Sequence, residues 1–166
     1  MTGFAELLPL AEDSRPRLFV MAGLPGSGKT TLARERFSAA LRVSLDDLRL
    51  MLSGRSFDAR FEAAVSAAGE AATRALLARA AEWHADVLFD ATSVTRKLRA
   101  RSLALAAQYG ALPICVHVDC PLELALARNS RRRFPVPEEV IRGFRATLET
   151  PDVAEGFAAI ITVRIG

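Results

Sequence analysis

Lysine is almost missing from this sequence. Lys29 and Lys97 are the only two, so nearly all of the positive charge is arginine. The total is modest, with 22 Lys+Arg against 19 Asp+Glu and a net charge of +3. Arginine carries a rigid fork of donors that suits phosphate, although an arginine-favouring codon usage gives the same excess. Tyrosine and tryptophan occur once each, which predicts an aliphatic core. Cys115 and Cys120 are the only cysteines, so neither a disulfide framework nor a cysteine metal motif is on offer. That usage fits a reducing compartment, and a cytoplasmic location is expected. Met1 to Leu10 shows no basic start followed by a long apolar stretch, so no signal peptide is expected. No apolar run approaches the roughly 20 residues of a membrane span, so no membrane partner is expected. His84 and His117 stand alone, without partner spacing for a metal site or a catalytic triad.

The sequence contains a steady alternation of short apolar runs and helical patterns. Strands are predicted at 17–22, 41–45, 86–89, 112–118 and 159–163. Helices are predicted at 29–37, 46–52, 58–82, 95–109, 122–128 and 137–148, with Gly110 closing the fourth and Pro137 opening the last. Repeats, low-complexity segments and interdomain linkers are lacking. The expectation is one domain over residues 1–166, with 1–16 as a short leader. Its fold class is α/β, with a parallel sheet between helices on both faces. Ligands on such sheets bind at the carboxyl ends of the strands. Four polar segments fall there: a glycine-rich loop, Asp46–Asp47, Asp90 and the turn at Asp119.

Residues 23–30, Gly-Leu-Pro-Gly-Ser-Gly-Lys-Thr, satisfy the G-x-x-x-x-G-K-[ST] pattern between an apolar strand and a helix. The loop's N–H groups and the positive end of the following helix cradle phosphate oxygens. Gly23, Pro25, Gly26, Ser27, Gly28, Lys29, Thr30 and Thr31 are therefore the candidate nucleotide-binding residues. Lys29 is expected to reach the β/γ-phosphates of ATP, and the Thr30 hydroxyl to ligate Mg²⁺. Asp90 ends an apolar strand, the position from which a carboxylate holds Mg²⁺; helix capping accounts for the same placement, and Thr92 or Ser93 would cap the next helix equally well. Asp46 is placed to accept the proton of an attacking hydroxyl, with Arg49 one helical turn on. An acidic helix start with an i,i+3 ion pair explains that spacing too. Arg128, Arg131, Arg132 and Arg133 form a basic stretch suited to phosphate, to a nucleic-acid backbone or simply to solvent.

In this order the motifs resemble those of the P-loop polynucleotide 5′-hydroxyl kinase family, which includes the kinase domains of phage and bacterial end-healing enzymes. The matching segments are GLPGSGKTTLARE, SLDDLR, FDATSVTRKLR, VDCPLELALARNSRR and VPEEVI, spanning Leu18 almost to the C-terminus. The resemblance implies a P-loop kinase fold, a three-layer α/β/α sandwich. It implies transfer of the γ-phosphoryl of ATP, with Mg²⁺, to the 5′-hydroxyl end of RNA or DNA. It makes Asp46 the general base, Arg49 the contact to the acceptor's phosphate, and Arg128 the lid arginine on ATP, with Arg131 or Arg132 beside it. Asp90-Ala91-Thr92-Ser93 matches a D-x-T-N element, with Ser93 in place of Asn, and Arg99 follows it. Relatives are often fused to a phosphatase or ligase; this sequence lacks the DxDGT phosphatase signature, so such an enzyme would be a separate partner. Two alternatives stay open. One is a kinase of a small-molecule hydroxyl such as a nucleoside, sugar or antibiotic. The other is a nucleotide-binding module without catalysis.

Overall fold

In the computed structural model, which describes residues 13–166, five strands form one parallel sheet in the order β2-β3-β1-β4-β5. They are β1 (Arg17–Ala22), β2 (Leu41–Ser44), β3 (Val87–Asp90), β4 (Leu112–Asp119) and β5 (Ala159–Arg164). Six helices connect them: α1 (Lys29–Arg36), α2 (Leu45–Ser53), α3 (Glu62–Trp83), α4 (Arg96–Gln108), α5 (Leu122–Asn129) and α6 (Glu138–Thr147). Most of the leader expected at residues 1–16 lies outside the described residues.

β1 shows why the sheet is covered on both faces. Its side chains point alternately up and down, yet Leu18 through Ala22 are all buried. Leu18, Val20 and Ala22 pack with Leu77 and Ala80 of α3 and Leu105 and Ala106 of α4. Phe19 and Met21 pack with Ala33 of α1 and with Phe37 just beyond it. Burying each large side chain contributes about 1.5–3 kcal/mol. The result is the expected three-layer α/β/α sandwich. Burial also shifts two titratable groups of β4. The Cys115 thiol in β4 is pushed up to about 12 and stays unreactive. Burial likewise pushes the His117 imidazole, in the same strand, below its ordinary value.

Local chemistry moves some boundaries. α3 begins at Glu62 rather than Asp58. The Asp58 carboxylate accepts bonds from the Arg60 backbone N–H and guanidinium, which holds 58–61 as a turn. α4 is capped by Thr95, whose hydroxyl accepts from the Leu98 N–H, and not by Thr92 or Ser93. α2 is capped by Ser44, which places Asp46 and Asp47 in the first turn, where carboxylates are favoured.

Candidate active site

The phosphate loop, Asp46 and Asp90 follow the carboxyl ends of β1, β2 and β3, and Arg128 and Arg132 come to the same place from the end of α5 and the segment after it. The loop after β1 turns through Gly23, Gly26 and Gly28, each with positive φ. Gly26, at φ 82°, also passes so close to α5 that a Cβ would stand 2.2 Å from the Ala125 carbonyl oxygen. The loop is tied to the segment after β3 by the Gly23 N–H, which donates to the Thr92 carbonyl at 3.0 Å.

A cavity of about 200 Å³ lies over this loop. Pro25, Gly26, Gly28, Lys29, Thr30, Thr31, Asp46, Asp90, Arg128 and Arg132 all line it. Gly23, Ser27 and Arg49 do not. Gly23 is the turn that leaves β1. Ser27 is fully buried, and its hydroxyl has no hydrogen-bond partner among the described residues. Arg49 stands behind Asp46, in a neighbouring cavity.

Lys29 is buried, and its ammonium donates to the carbonyls of Gly23 at 2.9 Å and Leu24 at 2.7 Å. Burial pushes its pKa down to about 8, against the upward pull of Asp90 and Asp46. The lysine is thus a desolvated cation without a carboxylate contact, a state that an anionic phosphate would relieve. The Thr30 hydroxyl donates to Asp90 Oδ2 at 3.3 Å, so two hard oxygen ligands stand together. That pair suits Mg²⁺, which takes few protein oxygens and completes its shell with water and phosphate. Among the described residues there is no cluster of three or more His, Cys, Asp or Glu that would hold a metal by itself.

Asp46 lies between two guanidinium groups. Arg49 donates to Oδ1 at 2.8 Å and Arg132 to Oδ2 at 3.0 Å. The i,i+3 ion pair does form, between the largely buried Arg49 and an Asp46 that lines the phosphate cavity. The basic stretch divides: Arg128 and Arg132 face the loop, whereas Arg131 and Arg133 do not line the cavity. Asn129 explains the division, since its side chain is bonded in both directions to the Val136 backbone at 2.8 and 3.0 Å, which folds the arginine segment back on itself.

Three residues of consequence escaped the sequence reading. Arg42 in β2 places Nε and one terminal nitrogen on Asp90 at 3.0 and 2.8 Å, and the other terminal nitrogen on Asp47 at 2.9 Å. Glu62 at the start of α3 holds Arg49 through two bonds of 2.8 Å. Glu155 does the same for Arg99. Arg99 is completely buried, meets Glu155 through two 2.7 Å bonds, and donates to the Ser93 carbonyl at 3.1 Å. Arg99 therefore braces the Asp90–Ser93 loop from below. Only Arg42 carries a local signal, a charged residue in a strand that ends beside the site; the two glutamates lie 13 and 56 residues from the arginines they hold.

A parallel sheet of this order, a phosphate loop after its central strand and an arginine segment over that loop define the P-loop kinase fold. Within that class, the chain belongs to the AAA domain family, whose model matches residues 18–151. No curated protein sequence matches it. Among solved structures, it is similar to a chain of the Pnkp1/Rnl/Hen1 RNA repair complex, with 25% identity and a TM-score of 0.66. That match covers 81% of this chain but 44% of the other, so this chain spans less than half of that relative. A sugar kinase from Janibacter sp. HTCC2649 matches at 19% identity and TM-score 0.61, covering 90% of this chain and 85% of that one. Kti12 from Chaetomium thermophilum, solved with ADP-AlF3, matches at 22% identity and TM-score 0.67, covering 89% and 88%.

Proposed function

We propose that this protein transfers the γ-phosphoryl group of ATP to a 5′-hydroxyl end of RNA or DNA. The observation that carries the reading is Asp46: a carboxylate in the same cavity as the phosphate loop, held on both oxygens by arginines. The loop and Lys29 grip the donor phosphates, and Arg128 and Arg132 face the same cavity from the other side. The Thr30 hydroxyl and the Asp90 carboxylate would hold a magnesium ion, which when bound would supply positive charge against the phosphate oxygens. Asp46 takes the proton of the attacking hydroxyl as its oxygen bonds to the γ-phosphorus. The bond from that phosphorus to the β–γ bridging oxygen breaks, and ADP leaves. Arg49 keeps Asp46 aligned and is itself kept in place by Glu62. The similarity to a chain of an RNA repair complex supports a nucleic-acid acceptor, as do the SLDDLR and RNSRR motifs.

The test offers γ-labelled ATP with 5′-hydroxyl oligonucleotides, nucleosides and simple sugars. Label is expected on the oligonucleotide 5′ end, and Asp46→Ala is expected to lower kcat by about 10²–10⁴, the usual contribution of a general base. Full transfer by that variant would remove the base assignment. A second reading, a kinase of a small-molecule hydroxyl, draws on the compact cavity beside Asp46; label on a nucleoside or sugar but not on the oligonucleotide would select it.

A further inference from the structure

Asp90 does not stand free for a metal. Its Oδ2 accepts three donors: Arg42 Nε at 3.0 Å, one Arg42 terminal nitrogen at 2.8 Å and the Thr30 hydroxyl at 3.3 Å. The other terminal nitrogen of Arg42 reaches a second carboxylate, Asp47, at 2.9 Å. One guanidinium thus joins two acids of very different exposure, 4% for the Asp90 side chain and 57% for that of Asp47. Sheet register delivers it there. Arg42 pairs with Leu88 and Ser44 with Asp90, so Arg42 and Asp90 share a face of the sheet. The two strand residues between those pairs span about 7 Å, which an extended arginine covers. The stem therefore follows the sheet, and the guanidinium arrives at the strand tip. Asp90 lines the phosphate cavity, whereas Arg42 and Asp47 do not, so Arg42 acts on that cavity through Asp90.

We infer that Arg42 is a positioning residue that keeps the metal carboxylate neutralised until nucleotide arrives, so that the site takes a divalent cation only together with ATP. The inference rests on the ATP and magnesium reading of the site given above. The affinity of an oxygen site for a divalent cation follows the carboxylate charge that it offers. Here the cavity lining sets Lys29, Arg128 and Arg132 against Asp46 and Asp90, so it has no net negative charge for a bare cation even before Arg42 is counted. Arg42 then matches the one carboxylate that stands beside Thr30. ATP brings the missing negative charge with it. Asp47 completes the arrangement from outside the cavity. It keeps the guanidinium paired when Asp90 serves a metal, where a largely buried arginine left alone would be destabilising. The second acid of SLDDLR thereby gains a role of its own.

The experiment titrates Mn²⁺, as a paramagnetic substitute for Mg²⁺, into the nucleotide-free full chain and reads unbound Mn²⁺ by electron paramagnetic resonance. Wild type is expected to bind it weakly. Arg42→Met, which keeps the stem and removes the charge, is expected to bind at least about tenfold more tightly, the lower end for a charge-assisted contact. Arg42→Lys keeps a charge and should stay near wild type, and adding Asp90→Asn to Arg42→Met should abolish the gain. Calorimetry with a non-hydrolysable ATP analogue plus Mn²⁺ gives the second arm. There Asp47→Asn is expected to weaken binding by about tenfold, because the guanidinium is left with Asp90 alone. An Arg42→Met protein that is less stable in urea but no tighter for Mn²⁺ makes Arg42 a tie between strands and overturns the inference, while ATP-dependent transfer stands. The Asp47→Asn arm leaves Arg42 intact, and an unchanged affinity there overturns the inference by itself. A wild type that binds the analogue equally with and without Mn²⁺ overturns the magnesium reading, and this inference with it.

Discussion

Lys29 shows what the phosphate loop costs before nucleotide arrives. A folded pKa of about 8 against an ordinary 10.5 means that keeping the ammonium charged at neutral pH costs the fold roughly 3 kcal/mol. The unfolded chain retains that proton between the two values, so the nucleotide-free protein becomes more stable as pH rises through this window. ATP should reverse the preference, because its phosphates would stabilise the charged form. At pH 8, where about half of the free protein has a neutral Lys29, ATP binding should therefore take up close to half a proton. At pH 6.5 it should take up almost none. Titration calorimetry in buffers of different ionisation enthalpy reads this directly. Lys29→Met should abolish the uptake and weaken ATP binding by about a hundredfold, while melting no lower than wild type without nucleotide. A pH-independent proton count of zero in wild type would show that Lys29 is fully charged in the free protein.

At the scale of elements, the site depends on braces that lie outside it. The segment after β3 carries Asp90, joins the phosphate loop through Thr92, and rests on the buried Arg99. Arg99 in turn is held by Glu155, from the 3-10 turn Val153–Glu155 that precedes β5. Glu155 also accepts from the Asp152 N–H at 3.0 Å, closing a capping box, so one carboxylate serves two elements. Burial works to raise the Glu155 carboxyl, but its bonds from Arg99 and Asp152 prevail and hold it below the ordinary value. Its stabilising contribution is complete above the ordinary glutamate range and is lost as pH falls through the depressed folded value. Removing one member of a buried pair strands the other, at a cost of about 3–5 kcal/mol. Glu155→Ala should lose that much stability in urea unfolding at pH 7, and the deficit should shrink towards pH 3. A loss under about 1 kcal/mol would mean that water replaces the carboxylate and that Arg99 is not the brace described.

Across the whole molecule, the strands, the phosphate loop and the cavity-facing residues were legible because each leaves a local mark. Apolar runs, glycine spacing and a charged residue at a strand tip are all short-range signals. Neighbour relations leave no such mark. Alternating strands and helices imply a parallel sheet, but nothing local says that β3 lies between β2 and β1. That adjacency pairs Ser44 with Asp90 and so brings Arg42 onto the Asp90 carboxylate. Glu62 became visible only once α3 was packed against α2, which brings it onto Arg49. The Arg132–Asp46 pair is of the same long-range kind. It crosses the cavity from the arginine segment to α2 at 3.0 Å, with its side chains 35% and 45% exposed. Such an exposed pair contributes at most about 1 kcal/mol, so it closes the cavity only weakly. ATP phosphates, carrying more charge than one carboxylate, should draw Arg132 away and leave Asp46 free to accept a proton. Donor binding and release of the base would then be one event. Arg132→Ala should change the unfolding free energy by less than about 0.5 kcal/mol, since the pair is exposed. It should raise the KM for ATP by about tenfold, the loss of one charge-assisted contact. Steady-state kinetics and urea unfolding on the same preparation separate these effects. A variant that is destabilised but binds ATP normally would make Arg132 a structural strap instead of a donor contact.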